Sequence, residues 1–298
     1  MRVSSNTLSE NLIRQIQLLG SQQTRLQTQV ATGQRIFQPE DDPASVGRVL
    51  ALESEQRENS QFFRNIDRAL EVSQISFAGL QNLKSASDRA TEIGVLGAGP
   101  LGSDAARAYG AEVDQLIEHT LQVANTKLRN DYVFAGTATD AAPFTATRNG
   151  AGKVTGVTYG GNASQAEIQL SESSNIAPGT SGTTNAAIGS FLNQLVALRD
   201  ALNANSVPAV TAAQTGLLAS EDILVSAIAE TGGVQMRIET NRTQLTSDNE
   251  NLERFVSAEA DLDLPTTIVR LNQTQTAYQA ALQSAANIMR LSLLDYIR

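Results

Sequence analysis

Apolar residues in the first part of the chain recur at the spacing of a helix that buries one narrow stripe. Between residues 7 and 31 the stripe positions are separated alternately by four and three residues, at Leu12, Ile16, Leu19, Gln23, Leu26 and Val30. A spacing that averages about 3.5 residues is typical of a coiled coil. The pattern predicts a helix that ends at Thr32 and Gly33, because glycine readily takes the left-handed conformation that follows many helices.

A second and longer stripe begins at Asp42 and Pro43. Aspartate is a good N-cap, and proline fits the first position of a helix. Steps of three and four residues then continue without a break from Val49 to Leu80. The pattern predicts about 50 helical residues, which at 1.5 Å per residue make a rod ~75 Å long. A third helical pattern covers residues 104–130.

The composition changes in the middle of the chain. Residues 131–190 hold nine of the 21 glycines. Asn-Gly and Gly-Gly-Asn turn signals separate short runs with strand character at 144–148, 154–159 and 167–170. The pattern predicts a small antiparallel β insert, after which helical spacing returns at 186–204 and 209–262.

The end of the chain repeats the pattern of its beginning. Asp263 and Pro265 give the same cap-and-proline signal for a helix start. The stripe of this last helix is formed by Ile268, Leu271, Gln275, Tyr278, Leu282, Ala285, Met289 and Ser292. We therefore expect the first and last helices to lie side by side.

These patterns predict a mainly α fold: an elongated helical rod with coiled-coil terminal helices and a small antiparallel β insert. They also predict three domains. Residues 1–42 and 263–298 form a terminal assembly domain, residues 43–136 and 184–262 form the helical rod, and residues 137–183 form an outer β-rich domain.

The composition excludes several kinds of site. The 298-residue chain has no cysteine and one histidine, His119, which excludes disulfide frameworks, thiolate metal sites and mechanisms that need two histidines. The formal net charge of −9 argues against non-specific binding to nucleic acid. We expect no metal site, no cofactor and no enzymatic activity.

Both ends of the chain are poor in charge. The 19 residues from Leu271 to Met289 carry none, yet they contain too many Gln and Asn residues for a membrane span. The first 15 residues lack the apolar region of a secretory signal peptide. Because interface cores lose charged residues, we expect the terminal helices to be buried by copies of the chain. The predicted self-assembly seam consists of Leu12, Ile16, Leu19, Leu26, Val30, Ile268, Leu271, Tyr278, Leu282 and Met289.

The connection between the first two helices carries a recognisable signature. It reads QVATGQRIFQPEDDP from Gln29 to Pro43 and resembles the N-terminal signature of the flagellin family. Thr32 replaces the serine of that signature, and Phe37 replaces its asparagine. The residues 278–296 also look like the closing helix of this family. The matched loop and cap residues are Gly33, Arg35, Ile36, Asp41, Asp42 and Pro43.

A further motif follows the third helix. Tyr132, Phe134, Gly136 and Thr137, with a Pro-Phe pair at 143–144, are similar to the motif that marks the hook–filament junction type within the flagellin family. The resemblance implies a structural subunit that joins hook and filament through its terminal helices. The alternative is a filament subunit, a flagellin proper.

The resemblance also implies partners and a location. The expected partners are identical subunits in a ring, a hook-side junction protein, the flagellin filament, the flagellar export apparatus and an export chaperone, with no nucleic acid and no membrane insertion. The expected location is the extracellular flagellum, reached by the flagellar type III pathway without a cleaved signal peptide.

Three patterns could instead indicate chemistry. Residues 97–102 match G-x-G-x-x-G, but they follow a helix and contain a proline, so we expect a turn and no dinucleotide site. Asp41 and Asp42 could be metal ligands or a catalytic pair, but adjacent carboxylates usually diverge, and we expect a cap and a loop contact. A cell-wall hydrolase would need a substrate groove, and the sequence offers no compact catalytic domain for one.

Overall fold

The computed structural model describes residues 2–296 of the chain, with side chains described for residues 10–287. In chain order this part contains α1 (Arg2–Thr32), α2 (Pro43–Gly97), α3 (Ser103–Ala124), β1 (Lys127–Leu128), β2 (Asp131–Tyr132), β3 (Phe144–Arg148), β4 (Val154–Tyr159), β5 (Ile168–Ser171), β6 (Ser174–Ile176), α4 (Gly182–Asn203), α5 (Val207–Ala260) and α6 (Leu264–Tyr296). The prediction of a mainly α fold with a few short antiparallel strands is confirmed.

The chain divides into two compact units. The first unit consists of Met1–Glu58 and Asp248–Arg298, and the second consists of Asn59–Ser247. The long helices α2 and α5 contribute residues to both units. The division into three domains stays a prediction.

The core of the second unit lies between helices α2, α3, α4 and α5. Its fully buried apolar side chains are Leu80, Leu83, Ile93, Val113, Ile117, Ile188, Phe191, Leu192, Leu195 and Leu217. Glycine allows the helices to approach closely at Gly97, where a Cβ atom would lie 2.6 Å from Leu202 Cδ2. Burial of large apolar side chains at roughly 1.5–3 kcal/mol each is the main stabilising contribution to such a core.

The third helix ends earlier than its sequence pattern predicts. α3 stops at Ala124, and residues predicted as helix up to 130 instead form the β1–β2 hairpin. The reason is a tertiary contact: the Asn125 side chain donates to the Phe144 carbonyl at 2.9 Å and accepts from the Phe144 amide at 3.1 Å. Because this contact fixes the chain just after α3, the helix cannot continue along its own axis.

The three hairpins of the second unit are separate antiparallel pairs, β1–β2, β3–β4 and β5–β6. The strands predicted at 144–148 and 154–159 are confirmed, and the run predicted at 167–170 corresponds to β5. Strands β1, β2 and β6 were not predicted, because each has only two or three residues.

Polar side chains of α4 fix the β3–β4 hairpin to the helices. Asn193 accepts a hydrogen bond from the Val157 amide and donates one to the Val157 carbonyl, both at 2.9 Å. Arg199, whose side chain is only 4% exposed, donates to the Val154 carbonyl at 2.6 Å and to Asp114 at 3.0 Å. The hairpin is therefore an integral part of the second unit.

Candidate assembly surface and interhelix joint

In the first unit, helix α1 packs against helix α6. The predicted stripe of α1 is on the contacting side: Leu26 is buried, and Leu12, Ile16, Leu19 and Val30 are half-buried. A Cβ atom at Gly20 would lie 3.5 Å from the Tyr278 ring, which places these two residues against each other. The α1 part of the predicted stripe is thus where the sequence places it.

The buried side of α6 includes most of the predicted stripe, since Leu271, Gln275, Tyr278 and Ala285 are half-buried. Thr267 and Thr274 are buried, whereas Ile268 and Leu282 are each 44% exposed. A threonine can be buried here because its hydroxyl bonds within the helix, as Thr274 Oγ1 does to the Arg270 carbonyl at 2.8 Å. Ile268 and Leu282 are the two members of the α6 stripe, among those whose side chains are described, that lie away from the buried side.

The remaining α6 residues of the predicted seam divide in a similar way. Leu271 and Tyr278 are half-buried on the side of α6 that faces α1. Met289 lies in α6 but outside the residues whose side chains the structure describes. The role of the whole set in self-assembly stays a prediction.

Large apolar side chains remain uncovered on these two helices. We call the following residues, all more than 40% exposed, the exposed apolar face: Ile13, Leu18, Leu264, Ile268, Val269 and Leu282. None of the described helices is long and apolar enough to cross a membrane. Exposed apolar residues on a charge-poor helix pair are typical of a surface that binds another protein.

The segment that follows α1 pairs with the segment that joins α5 to α6. Gln34 and Asp261 form an antiparallel bridge, in which the Arg35 amide donates to the Ala260 carbonyl at 2.7 Å and the Leu262 amide donates to the Gly33 carbonyl at 3.0 Å. Gly33 has φ +72°, the left-handed conformation predicted for the end of α1. We call residues 33–36, 42–48 and 259–262 the interhelix joint.

Arg35 is at the centre of this joint. Its guanidinium donates to the Glu259 carbonyl at 2.7 Å, to Ser45 Oγ at 3.3 Å and to Asp42 at 3.4 Å. The Gln29 side chain in turn donates to the Arg35 carbonyl at 2.7 Å. One arginine thereby connects the ends of α1 and α5 with the start of α2.

A second arginine closes the joint from α2. Arg48 donates two hydrogen bonds to the Glu259 carboxylate, each at 2.9 Å. These bonds lower the pKa of Glu259, since they favour its charged form. The bidentate geometry makes this a stronger contact than an ordinary surface ion pair.

The two adjacent aspartates have separate structural tasks. Asp42 caps α2: it accepts from the Ser45 hydroxyl at 2.6 Å and the Ser45 amide at 3.1 Å, and these bonds lower its pKa to about 2. Asp41 accepts from the amides of Gln38 and Phe37, which lowers its pKa, and it pairs with Arg25 at 3.0 Å.

The other two residues of the loop signature take structural positions as well. Pro43 is the first residue of α2, and Ile36 is half-buried within the joint. No group of three or more metal-ligating side chains occurs within the part of the chain that the structure describes.

The motif at residues 132–137 anchors the β1–β2 hairpin inside the second unit. Phe134 is fully buried, and its ring lies where a Cβ atom at Gly79 of α2 would come within 2.8 Å of it. Gly136 has φ +69°, and a Cβ atom there would collide with Asn162. Both positions therefore require glycine.

The rest of the motif is held by side chains. Asn162 accepts from the Thr137 amide at 2.9 Å and donates to the Thr137 hydroxyl at 2.6 Å. Lys127 Nζ lies 4.3 Å from the centre of the Tyr132 ring, within cation–π distance. The motif is thus an internal structural anchor in this chain.

Sequence reasoning missed several residues of these sites. Glu259 and Arg48 are 211 residues apart, and no local pattern connects them. Asn162 belongs to the Gly-Gly-Asn turn signal, which does not indicate its contact with Thr137, and Gly79 gave no signal within a helical run. Only the loop signature pointed to the joint.

Comparison with known proteins agrees with these features. The family described as bacterial flagellin N-terminal helical region matches residues 3–139. The resemblance to the flagellin family is confirmed. The chain is 26% identical over 232 residues to flagellar hook-associated protein 3 of Escherichia coli K12, and the aligned part covers 76% of this chain and 67% of that protein. It is 28% identical over 146 residues to the protein of the same name from Salmonella typhimurium LT2, covering 48% and 46%.

Solved structures show the same fold. FlgL of Bacillus cereus superimposes with a TM-score of 0.61 at 20% identity, covering 70% of this chain and 99% of that one. The flagellar junction protein FlgL of Legionella pneumophila gives a TM-score of 0.51 at 14% identity, covering 73% and 99%. The relatives named here are flagellar proteins, and the prediction of the junction type over a filament flagellin agrees with their names.

Proposed function

We propose that this chain is a structural subunit of the bacterial flagellum that forms the junction between hook and filament. The observation that carries the proposal is the exposed apolar face on the α1–α6 pair, in a chain whose curated relatives are hook-associated proteins. Such a face is costly on a monomer in water and becomes favourable once neighbouring subunits cover it.

In this proposal the terminal helices make the contacts between subunits. Ile268, Val269 and Leu282 of α6 are each more than 40% exposed and can pack on a neighbour. The uncharged run from Leu271 to Met289 adds amide and hydroxyl side chains that can hydrogen-bond across an interface. Association would therefore rest on apolar burial and close packing, with few salt bridges.

The interhelix joint holds this helix pair to the rest of the first unit. Arg35, after α1, and Arg48, in α2, both bind Glu259 of α5. The main-chain bridge between Gln34 and Asp261 fixes the relative orientation of the two segments. A mechanical subunit needs such a connection, because force applied at the assembly surface must reach the longer helices. The joint is the part of the first unit that is built to transmit it.

A filament flagellin is the alternative function. A filament subunit needs upper and lower surfaces that recognise each other, so that addition repeats without limit. A junction subunit meets two different neighbours and forms a closed ring. Electron microscopy of the concentrated protein separates the two functions, since long regular filaments grown from this chain alone would contradict the junction proposal.

The proposal includes partners, location and the absence of catalysis. The partners are identical subunits, a hook-side junction protein, the flagellin filament, the export apparatus and an export chaperone. The chain would act outside the cell after export by the flagellar type III pathway without a cleaved signal peptide, and its role would be structural and non-enzymatic. In this proposal the three predicted domains have separate roles, and residues 1–42 and 263–298 form the domain that assembles with other subunits.

Loss of the protein gives a second test in cells. A strain without it should release flagellin into the medium, because the filament would have no junction on which to grow. Restoration of filaments by the unmodified gene is the control. A strain that still builds attached filaments of normal length would contradict the proposal.

A further inference from the structure

The second unit contains a cavity of about 280 Å³ that neither the core nor the proposed assembly surface uses. Helix α2 forms one wall, the β1–β2 hairpin and the loop after it form another, and the residues around the start of β5 and after β6 form the rest. All of these elements belong to the same unit, within Asn59–Ser247. The volume is close to the lower end of the ~300–1,000 Å³ that is usual for ligand pockets, which suits a single ring.

The rim of the cavity stores backbone strain. Arg129 has φ 57°, a left-handed conformation that is unusual for a residue with a side chain. Its guanidinium pairs with Glu71 of α2 at 3.0 Å, which holds the hairpin turn over the cavity. Strain of this kind, about 1–3 kcal/mol, persists only where surrounding contacts enforce it, and it is concentrated at functional sites.

The polar groups of the lining are of both kinds, donors and acceptors. Arg68 lines the cavity and has no ion-pair or hydrogen-bond partner within the described part of the chain. Asp131 likewise has no side-chain partner there, and Glu167 has only a long contact of 3.4 Å with Asn175. All three side chains are exposed at the mouth of the cavity, where they can donate hydrogen bonds to a ligand or accept them from it.

The rest of the lining is apolar. Val72, Ile168 and Pro178 contribute aliphatic surface, and Tyr132 contributes its phenol. Lys127, which covers one face of the Tyr132 ring, does not line the cavity. The lining thus combines an aromatic side chain, aliphatic walls and unpaired polar groups.

This combination restricts the chemistry of a ligand. The charged lining residues are two arginines and three carboxylates, so neither a strong anion nor a strong cation is favoured overall. A purely apolar ligand would remove charged groups from water without giving them partners, which is unfavourable. A neutral ring with several hydroxyl groups meets both requirements, since each hydroxyl both donates and accepts while the C–H faces contact apolar walls.

We propose that this cavity binds a neutral saccharide unit. Arg68 would donate to ring hydroxyls, Asp131 and Glu167 would accept from them, and the apolar walls would contact the sugar's C–H face. Arg129 and Glu71 position the hairpin that carries Asp131. This site is independent of the junction proposal, because none of its residues belongs to the assembly surface or the joint.

Saturation-transfer NMR on the full chain tests the proposal. The probes are the methyl pyranosides of glucose, galactose, mannose and N-acetylglucosamine, each at millimolar concentration. We expect saturation transfer to the ring protons of at least one of them, with inorganic phosphate and free arginine unable to displace it. Absence of transfer to all four, or displacement by phosphate or arginine, would overturn the proposal.

Two variants locate the binding to this cavity. Arg68→Gln should weaken binding about tenfold, the usual effect of losing a hydrogen bond from a charged donor. The matched control is Arg64→Gln on the same helix, since Arg64 donates to Gln61 and does not line the cavity; its affinity should be unchanged. Asp131→Asn, nearly equal in size, provides a second test if Arg68→Gln fails to fold. Unchanged affinity in the folded cavity variants would place the binding elsewhere and refute the site.

Discussion

Replacing Leu282 by aspartate should prevent assembly and leave the isolated chain folded. Leu282 is 44% exposed, so the chain itself already buries slightly more than half of this side chain. Full burial of a leucine contributes roughly 1.5–3 kcal/mol, which leaves about 0.7–1.3 kcal/mol for a neighbouring subunit to gain by covering the remainder. Leu282→Asp removes that gain and adds an unpaired carboxylate whose burial costs several kcal/mol more.

The assay has two parts, and each has a control. Circular dichroism and hydrogen exchange of α1 and α6 should show a loss of about 0.8–1.7 kcal/mol in the monomer, which is the contribution of the part of Leu282 that the chain itself buries, and the helices should stay folded. Incorporation onto purified hooks, followed by electron microscopy, should be lost. Leu218→Asp, at a similarly exposed leucine of α5 in the second unit, should incorporate normally.

A contrasting variant separates assembly from folding. Leu26 of α1 is buried within the chain, so Leu26→Ala should destabilise the first unit by about 2–5 kcal/mol before any subunit contact is made. Normal incorporation of Leu282→Asp, or equal effects of Leu282→Asp and Leu218→Asp on incorporation, would refute the assignment of the exposed apolar face to assembly.

Three further outcomes are expected. Gly79→Ala should destabilise the second unit by about 1–3 kcal/mol in thermal unfolding, since its Cβ would meet the Phe134 ring, and Phe134→Leu should relieve the effect in the double variant. Phe144→Ala should cost about 3–5 kcal/mol by the same measurement, because this ring is buried in the core of the second unit. Acid should weaken the interhelix joint. The pKa of Asp42 is lowered from 3.8 to about 2, so the stability that its carboxylate contributes is complete above pH 3.8 and is lost as the pH falls towards 2. Hydrogen exchange of residues 33–48 should report this loss, and the pH dependence should be absent in Asp42→Asn.

Capping residues, prolines and glycines in the sequence predicted the helix ends correctly where residues next to each end provide its hydrogen-bond partners. The cap at Asp42 with Pro43, the left-handed glycine at Gly33 and the second cap at Asp263 all coincide with observed helix boundaries. These signals succeed because a helix end needs partners for its free amides and carbonyls, and a neighbouring side chain usually provides them. The mainly α fold followed from them.

Contacts between distant segments could not be predicted. The hydrogen bonds of Asn125 to Phe144 end α3 early, although the residues after it have helical spacing. The positive φ angle of Arg129 in the β1–β2 turn could not be predicted, because no glycine occupies that position. In the joint, the sequence predicts the capping role of Asp42. It does not predict that Arg35 binds both Asp42 and Glu259, because Arg35 and Glu259 are 224 positions apart.

The main-chain bridge between Gln34 and Asp261 also has a consequence for the order of folding. Closing the loop between residues 34 and 261, which are 227 positions apart, costs about 5 kcal/mol of chain entropy, since the cost grows as 1.5 RT times the logarithm of loop length. The second unit is one continuous stretch, Asn59–Ser247, and can fold before that loop closes. Contacts of large sequence separation form slowly. The bridge should therefore form late, after the second unit has brought α2 and α5 together, so the two chain ends remain unpaired until the intervening residues have folded.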